Sequence, residues 1–538
     1  MLINIKRPIK LNTVFIWLLL LLSYLFILTI ISNCFDNDLG WHLRFGKEFW
    51  TSTQFSYTDT YTYSYYGRPW INHEWGGDLL MWPTYEYLGY PILLMIFSVL
   101  PLLALILALK KISGHFDIKD AAIVLAMLWS GQQILNVRLH MFTPLFLVIL
   151  WYYLERPTAK KMIIGWPIIF WLWSILHGSW ILGFIMIGIY WTANLVNTLC
   201  RRFWPNRYDP ALWTAKQIWQ SIIGVVLSAT IICLNPYGIK VWGEVLSYFT
   251  NSYYKLHTVE WLPAYYTPIF WPAIISAFVT LPVILILFQK KRITWPQLLM
   301  YLAFWYSAWQ YKRNALLFLV VCAPLISIAL TTLKTKILLN KISIDQFYNK
   351  TARLFIVIFS LTTLVLLIIF YTINIRFTRD LWHSPTIIEQ NFMPLGETEW
   401  LKKNTVTHPV LIFNDFSWGG YLDWSLPQDL IFFDGRGTAT WKTPDGQSFL
   451  KYYTDLNFGK NGLTEIEKMP VQFIMLAKFF YQTDSLIKIS VLTGKHNASR
   501  SVGTPRRLAE DIKNSPSWQL VYEDNIGWLW KRNEVITK

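Results

Sequence analysis

Apolar stretches long enough to cross a bilayer recur up to residue 374, and they constrain this chain more than anything else in it. They lie near residues 12–32, 91–109, 120–135, 141–154, 162–176, 180–199, 218–234, 269–288, 294–310, 315–333 and 354–374. Roughly 17–25 apolar residues cover the hydrocarbon core, and a helix satisfies its own backbone there. The sequence thus predicts a polytopic α-helical membrane domain over 1–375, with about eleven transmembrane helices. The pairs 120–154 and 162–199 can also be read as broken or tilted helices. With 54% hydrophobic and only 15% charged residues, a soluble multidomain enzyme is excluded.

The formal charge of +16 does not mark a nucleic-acid protein, because the basic residues punctuate the apolar spans instead of forming one face. Their positions set an orientation. With a cytoplasmic N-terminus, Lys110-Lys111, Arg156 with Lys160-Lys161, Arg201-Arg202, Lys290-Lys291-Arg292 and the stretch Lys334 to Arg353 all fall inside. The loop 33–89 then falls outside, with seven acids against three bases. The first span follows Lys6, Arg7 and Lys10 and is too long for a signal-peptide core, so it reads as a retained anchor. The expected location is the inner (plasma) membrane, crossed several times.

After Tyr371 no membrane-length apolar run remains, and parity places 376–538 outside. Val410–Phe413, Ile431–Phe433 and Val471–Met475 read as short buried strands. Ser417–Trp424 and Gln447–Leu456 have helical spacing, and Gln519–Tyr522 with Trp528–Trp530 predict a hairpin around Asp524-Asn525. Strands alternating with helices predict an external C-terminal α/β domain. The four cysteines, Cys34, Cys200, Cys233 and Cys322, lie in or beside apolar spans without metal-like spacing, so packing is their simplest role.

Directly after the first span stand Asp36-Asn37-Asp38-Leu39-Gly40-Trp41-His42. Carboxylates at a membrane boundary are costly unless solvated or used. They suit a general base toward an acceptor hydroxyl, or a hard divalent cation such as Mg²⁺ or Mn²⁺ held by an Asp-x-Asp pair. A solvated loop entrance is the plainer alternative. Further along lie Gly67-Arg68-Pro69-Trp70 and Asn72-His73-Glu74-Trp75, with Asp78 close behind. Stretches 40–51 and 72–88 are expected to lie flat at the interface as amphipathic helices. Aromatic faces beside carboxylates suit carbohydrate, though anchoring explains the rings equally well.

Basic residues on outward corners run against the charge bias and need a reason. Arg138 with His140, Lys255 with His257 and Glu260, and Lys312 with Arg313 occupy such corners. Holding a lipid phosphate is one reason, and snorkelling is the other. His177-Gly178-Ser179 reads as an outer turn. In the tail, Asn414 to Gly420 and Asp434-Gly435-Arg436-Gly437 follow strands, where ordinary turn chemistry is the favoured account over ligand binding.

These motifs resemble the GT-C superfamily of integral membrane glycosyltransferases, which includes protein O-mannosyltransferases and bacterial aminoarabinose transferases. The resemblance is to a largely uncharacterised bacterial branch. It rests on Asp36 to Leu43, Gly67 to Trp75, Leu176-His177-Gly178-Ser179, Asn235-Pro236-Tyr237-Gly238, Glu260-Trp261, Arg313, Asn414 to Tyr421 and Asp434-Gly435-Arg436. One departure stands out: Thr53-Gln54-Phe55-Ser56 replaces the Asp-Pro-Phe-Ser of that branch, which puts the run's role in doubt. The resemblance implies transfer of a sugar from a polyprenyl-phosphate donor to a lipid, glycan or protein acceptor, with inversion. It implies catalytic roles for Asp36, Asp38, His42, His73 and Glu74. Arg138, His140, Lys312 and Arg313 would bind the donor phosphate. Arg68, Trp70, His257 and Glu260 would contact substrate. No cofactor is expected, unless a divalent ion sits at Asp36 and Asp38. An O-antigen polymerase or ligase and a lipid or oligosaccharide transporter are the rival functions. A transporter would carry charges at mid-bilayer on broken helices, and few are present.

The orientation is open to a direct check. A phosphatase reporter that works only outside the cytoplasm, fused after Lys538, is expected to be active, and a cytoplasm-only reporter at the same place silent.

Overall fold

The computed structural model describes residues 36–113, 123, 137–203, 205, 212–267, 270–338, 393–478 and 506–533. The spans expected near 12–32 and 354–374, and all of 120–135 except Ile123, lie outside the described residues. The other expected spans coincide with helices. They are the latter part of α2 (Trp75–Ser113), then α3 (Thr143–Glu155), α4 (Trp166–Leu176), α5 (Ile181–Phe203), α6 (Ala215–Ile231), α9 (Trp271–Gln289), α10 (Trp295–Gln310) and α11 (Ala315–Leu338), while α7 (Lys240–Thr250), α8 (Ser252–His257) and, in the tail, α12 (Leu395–Asn404) are shorter helices outside those spans. Among the described residues, four helical stretches, Ile92–Lys110, Gly178–Phe203, Trp271–Gln289 and Lys312–Leu333, are long and apolar enough to cross a membrane. Leu139–Glu155 and Lys161–Leu176 are shorter and apolar.

The helix starts are written in the sequence. Pro144, Pro167, Pro272 and Pro296 stand in the first turns of α3, α4, α9 and α10, where a missing N–H costs nothing. Thr214 with Gln217 and Thr294 with Gln297 close capping boxes on α6 and α10. Helix α11 is the central one: it packs on α2, α9, α10 and α3. Helix α2 is kinked at Gly89, whose φ of 77° only glycine adopts freely, so residues 75–88 turn into the span that follows.

The tail is an α/β unit. Its sheet runs β2 (Leu430–Ile431), β1 (Leu411–Asn414), β3 (Phe473–Ala477), β5 (Gly527–Arg532), β4 (Trp518–Glu523). The first three strands are parallel, and β5 pairs antiparallel with β3 and β4. Parallel neighbours need crossovers. Helix α13 (Gly419–Ser425) lies between β1 and β2, and α14 (Phe449–Phe458) with α15 (Gly462–Glu467) between β2 and β3. At the predicted hairpin, the Asp524 carboxylate accepts the Ile526 and Gly527 N–H groups.

The stretch 40–51 is helical, as α1 (Leu39–Ser52), but its first half packs inside the protein where an interfacial face was expected. Residues Leu39 to Gly46 are all buried, because α1 is sandwiched between α2 and α13. A Cβ on Gly40 would stand 1.8 Å from the Gly420 carbonyl oxygen, so only glycine lets the tail helix come this close. Arg44 secures the contact by donating to the Asp423 and Pro427 carbonyls at 3.2 and 2.9 Å.

The first loop completes the union. Tyr63 N–H donates to the Ile431 carbonyl at 2.9 Å and Ile431 N–H to Tyr61 at 3.2 Å, so the loop pairs with the edge strand β2. Beside this pairing Arg436 is fully enclosed. Its Nη2 donates to Asp434 and to Asp59 at 2.7 Å each, and its guanidinium lies over the Tyr61 and Trp70 rings at 4.3 and 4.5 Å. Asp59 in turn accepts the Thr62 N–H and hydroxyl. Removing one partner of such a buried pair typically costs about 3–5 kcal/mol. Arg436→Leu is therefore expected to lower the thermal midpoint of the detergent-solubilised protein and to open the 59–70 loop to trypsin. Arg436→Lys should recover only part of the loss, since an ammonium cannot span both carboxylates.

Candidate functional site

The turn at Asp36–Asp38 sets two acids against one cation, and Glu260, from the 3₁₀ turn Val259–Trp261, adds a third. The Asp36 carboxylate accepts the Asp38 N–H at 3.0 Å, which orients both side chains to one side of the start of α1. Arg138 enters just ahead of the 3₁₀ turn Leu139–Phe142. Its Nε donates to both Asp36 oxygens at 2.7 and 2.6 Å, its Nη2 lies 3.2 Å from Asp38 Oδ2, and its Nη1 bonds Glu260. Arg313 stands 3.8 Å from the other Glu260 oxygen, with its guanidinium over the Trp261 ring. Burial pushes the Asp36 carboxyl up, while Arg138 pulls it back. Burial also raises Glu260, but Arg138 and Arg313 outweigh it and hold that carboxyl at about 2.

A second cluster adjoins the first through α1. One turn beyond Asp38, His42 donates from Nδ1 to Asp78 Oδ1 at 2.5 Å, and Asn72 donates to the other Asp78 oxygen at 2.6 Å. Although burial opposes it, the Asp78 carboxylate keeps His42 above its ordinary range. Its Nε2 faces Glu74 at 3.6 Å. Glu74 also faces His177 at 3.3 Å and His73 at 3.8 Å. Helix α4 ends at His177, whose Nδ1 accepts the Ser179 N–H at 3.1 Å. That bond directs the proton of the neutral ring to Nε2, toward Glu74. Burial, with His42 working against it, moves the Glu74 carboxyl up to about 7. Burial and the nearby His42 charge push His73 down to about 4.

The structure brings together Asp36, Asp38, Arg138, Glu260 and Arg313, and joins His42, His73 and Glu74. His140 lies beside this second cluster, its ring 6.1 Å from His177. Lys312 is buried, its N–H donating to the Leu262 carbonyl beside the Glu260 turn. The other expected substrate contacts are not among these groups. Trp70 is 4% exposed, packed against Trp41, Phe45, Tyr61 and Arg436, so the expectation that it stacks on substrate is corrected. Arg68 donates to the Lys442 carbonyl of the tail. His257 is stacked on Tyr253 at 3.7 Å and bonded to its carbonyl. Asp78 and His177 join the site without having been assigned a role from sequence. Asp78 follows Glu74 by four residues, one helical turn, which is a legible signal; His177 offered only a helix break.

In this structure Asp36 and Asp38 are paired with a cation of the chain itself. The Arg138 guanidinium takes the oxygens of Asp36 and Asp38 that an ion would bridge. Among the described residues, no three His, Cys, Asp or Glu side chains converge to hold a metal.

In fold this chain is similar to solved oligosaccharyltransferase structures. One is the oligosaccharyltransferase AglB from Archaeoglobus fulgidus, in complex with an inhibitory peptide and a dolichol-phosphate. It has a TM-score of 0.52 and 12% identity, over 98% of this chain and 75% of that one. The A. fulgidus oligosaccharyltransferase tethered to an acceptor peptide containing the NVT sequon matches with a TM-score of 0.50 and 12% identity, covering 97% and 74%. ArnT from Cupriavidus metallidurans bound to undecaprenyl phosphate gives 0.47 and 12%, covering 97% of both chains. No protein-family model matches the sequence, and neither does any curated protein.

The Glu74 environment gives a prediction that needs no substrate. A carboxyl raised from 4.5 to about 7 favours folding at low pH and loses that contribution as pH rises through its folded value. Glu74→Gln should therefore flatten the fall in thermal midpoint of the solubilised protein between pH 4.5 and 7.5, raising it at the upper end and leaving the lower end nearly unchanged.

Proposed function

We propose that this protein is an inverting membrane glycosyltransferase that moves a sugar from a polyprenyl-phosphate donor to an acceptor at the outer face of the membrane. The observation that carries the reading is the grouping of Asp36, Asp38 and Glu260 around Arg138, with Arg313 beyond, at the exit of the first apolar span. A base and phosphate-binding cations side by side are what a single displacement from a lipid phosphate requires. The complex of the similarly folded AglB with a dolichol-phosphate supports a lipid-linked phosphate as the leaving group.

In this reading Asp38 is the base, because its side chain is 27% exposed where that of Asp36 is 5% exposed and held by Arg138. The acceptor hydroxyl oxygen attacks the anomeric carbon as the bond from that carbon to the phosphate oxygen breaks. The hydroxyl proton passes to Asp38, and the polyprenyl phosphate departs with the bond's electron pair. Protonation of Asp38 weakens its hold on Arg138 as negative charge grows on the phosphate, so the guanidinium turns from one anion to the other. Arg313, Lys312 and His140 add positive or hydrogen-bonding groups on that side. The Glu74 cluster stands behind Asp38 as a store for the proton. The acceptor is a lipid, a glycan or a protein. The location is the plasma membrane, with the N-terminus in the cytoplasm and the tail outside.

Purified protein in nanodiscs, given a radiolabelled polyprenyl-phosphate sugar and a membrane extract as acceptor, is expected to transfer label. Asp38→Asn should lower the rate by about 10²–10⁴-fold with the fold intact. Arg138→Ala should raise the KM for donor, and EDTA should change nothing. Full activity in Asp36→Asn/Asp38→Asn would refute the assignment.

A further inference from the structure

Two tail motifs, Asn414 to Gly420 and Asp434 to Gly437, stand at the ends of β1 and β2, and their glycines meet the turn at the start of α1. A Cβ on Gly435 would stand 2.0 Å from Asp38 Oδ1 and 3.1 Å from its carboxyl carbon, when real Cβ contacts essentially never fall below 3.0 Å. A Cβ on Gly420 would stand 2.2 Å from the Asn37 carbonyl oxygen. Residues 37, 38 and 40 are thus each met by a tail glycine.

We propose that the C-terminal domain is a working part of the site, with Gly435 as a positioning residue that sets the Asp38 carboxylate against Arg138. The functional half of this inference rests on the assignment of Asp38 as the base.

The turn that presents Gly435 is rigid for stated reasons. Asn414, at the end of β1, donates from its amide to the Phe433 carbonyl at 2.8 Å and accepts the Phe432 and Phe433 N–H groups. That fixes the chain leaving β2. Asp434 then accepts the Arg436 N–H at 2.8 Å and its Nε at 3.0 Å, and Arg436 reaches across to Asp59 in the first loop. The turn is therefore gripped from the sheet on one side and from the loop on the other. Asp38 has Arg138 at 3.2 Å on one flank and the Gly435 backbone on the other. A methyl at 435 cannot be accommodated by a movement of the turn, so the carboxylate itself must shift. A displacement of about 1 Å in a reacting group can cost on the order of 10²-fold in rate.

The test is a double-mutant cycle on the full chain in nanodiscs. Gly435→Ala is expected to lower the thermal midpoint, and Asp38→Ala to relieve that loss, because the opposing oxygen is gone. In the transfer assay Gly435→Ala should reduce kcat by roughly 10²-fold with the donor KM little changed. It should reduce nothing further in the residual rate of Asp38→Ala. If Gly435→Ala alone does not accumulate in the membrane and the double variant does, the contact is equally supported. An equal loss of midpoint in both backgrounds overturns the placement. Unchanged kcat in Gly435→Ala, with Asp38 essential, overturns the positioning role. If no variant and no wild-type protein transfers sugar, the functional reading has failed, while the thermal cycle still decides whether Gly435 sets Asp38.

Discussion

Three carboxylates lie within reach of one guanidinium, and much of the structure follows from that. Asp36, Asp38 and Glu260 come from the start of α1 and from a turn more than two hundred residues later, and they can converge only because Arg138 stands between them. In a region of low dielectric their mutual repulsion would otherwise drive them apart or force proton uptake. The arginine thus selects the packing of α1 against the 3₁₀ turn before α3, and through α1 the placement of the His42, Asp78 and Glu74 cluster. Under the proposed function, its occupation by carboxylates means that a donor phosphate would compete with charges already paired, which favours binding coupled to neutralisation of one acid.

A second buried arginine performs a comparable task with a different pair of acids. Arg436 joins the tail to the first loop through Asp434 and Asp59, and its flanking glycine abuts Asp38. Between the two arginines the acidic turn has little freedom. Geometry at Asp38 is a joint property of the helical domain and the tail.

Much of the fold was legible in the sequence. The spans between 141 and 333 were written as apolar runs, and the tail strands and the final hairpin as short apolar runs between turn residues. The helix over 40–51 was legible too, but its surroundings were not. Its apolar face suited an interface, and nothing local announced that α13, some 380 residues on, would cover it. Trp70 misled for a related reason, since an aromatic beside acids looks alike whether its face is open or taken by Arg436. Asp36, Asp38 and Glu74 were found from their types and positions. Asp78, one helical turn past Glu74, was legible in the same way, while His177 entered the site only through contacts distant in sequence, which single-chain patterning does not encode.

The pairing of Tyr61 and Tyr63 with Ile431, and the bond of Asp59 to Arg436 across 377 residues, bear on how the molecule is made. At about 5–20 residues per second, synthesis separates these partners by roughly 20–75 s. During that interval the acidic turn lacks one wall and the edge-pairing segment lacks its sheet. The parallel β2–β1–β3 core must also close before Gly435 can be presented. Maturation of the acidic turn therefore waits for the tail, and a polypeptide truncated before the tail carries the acids without the wall that Gly435 provides.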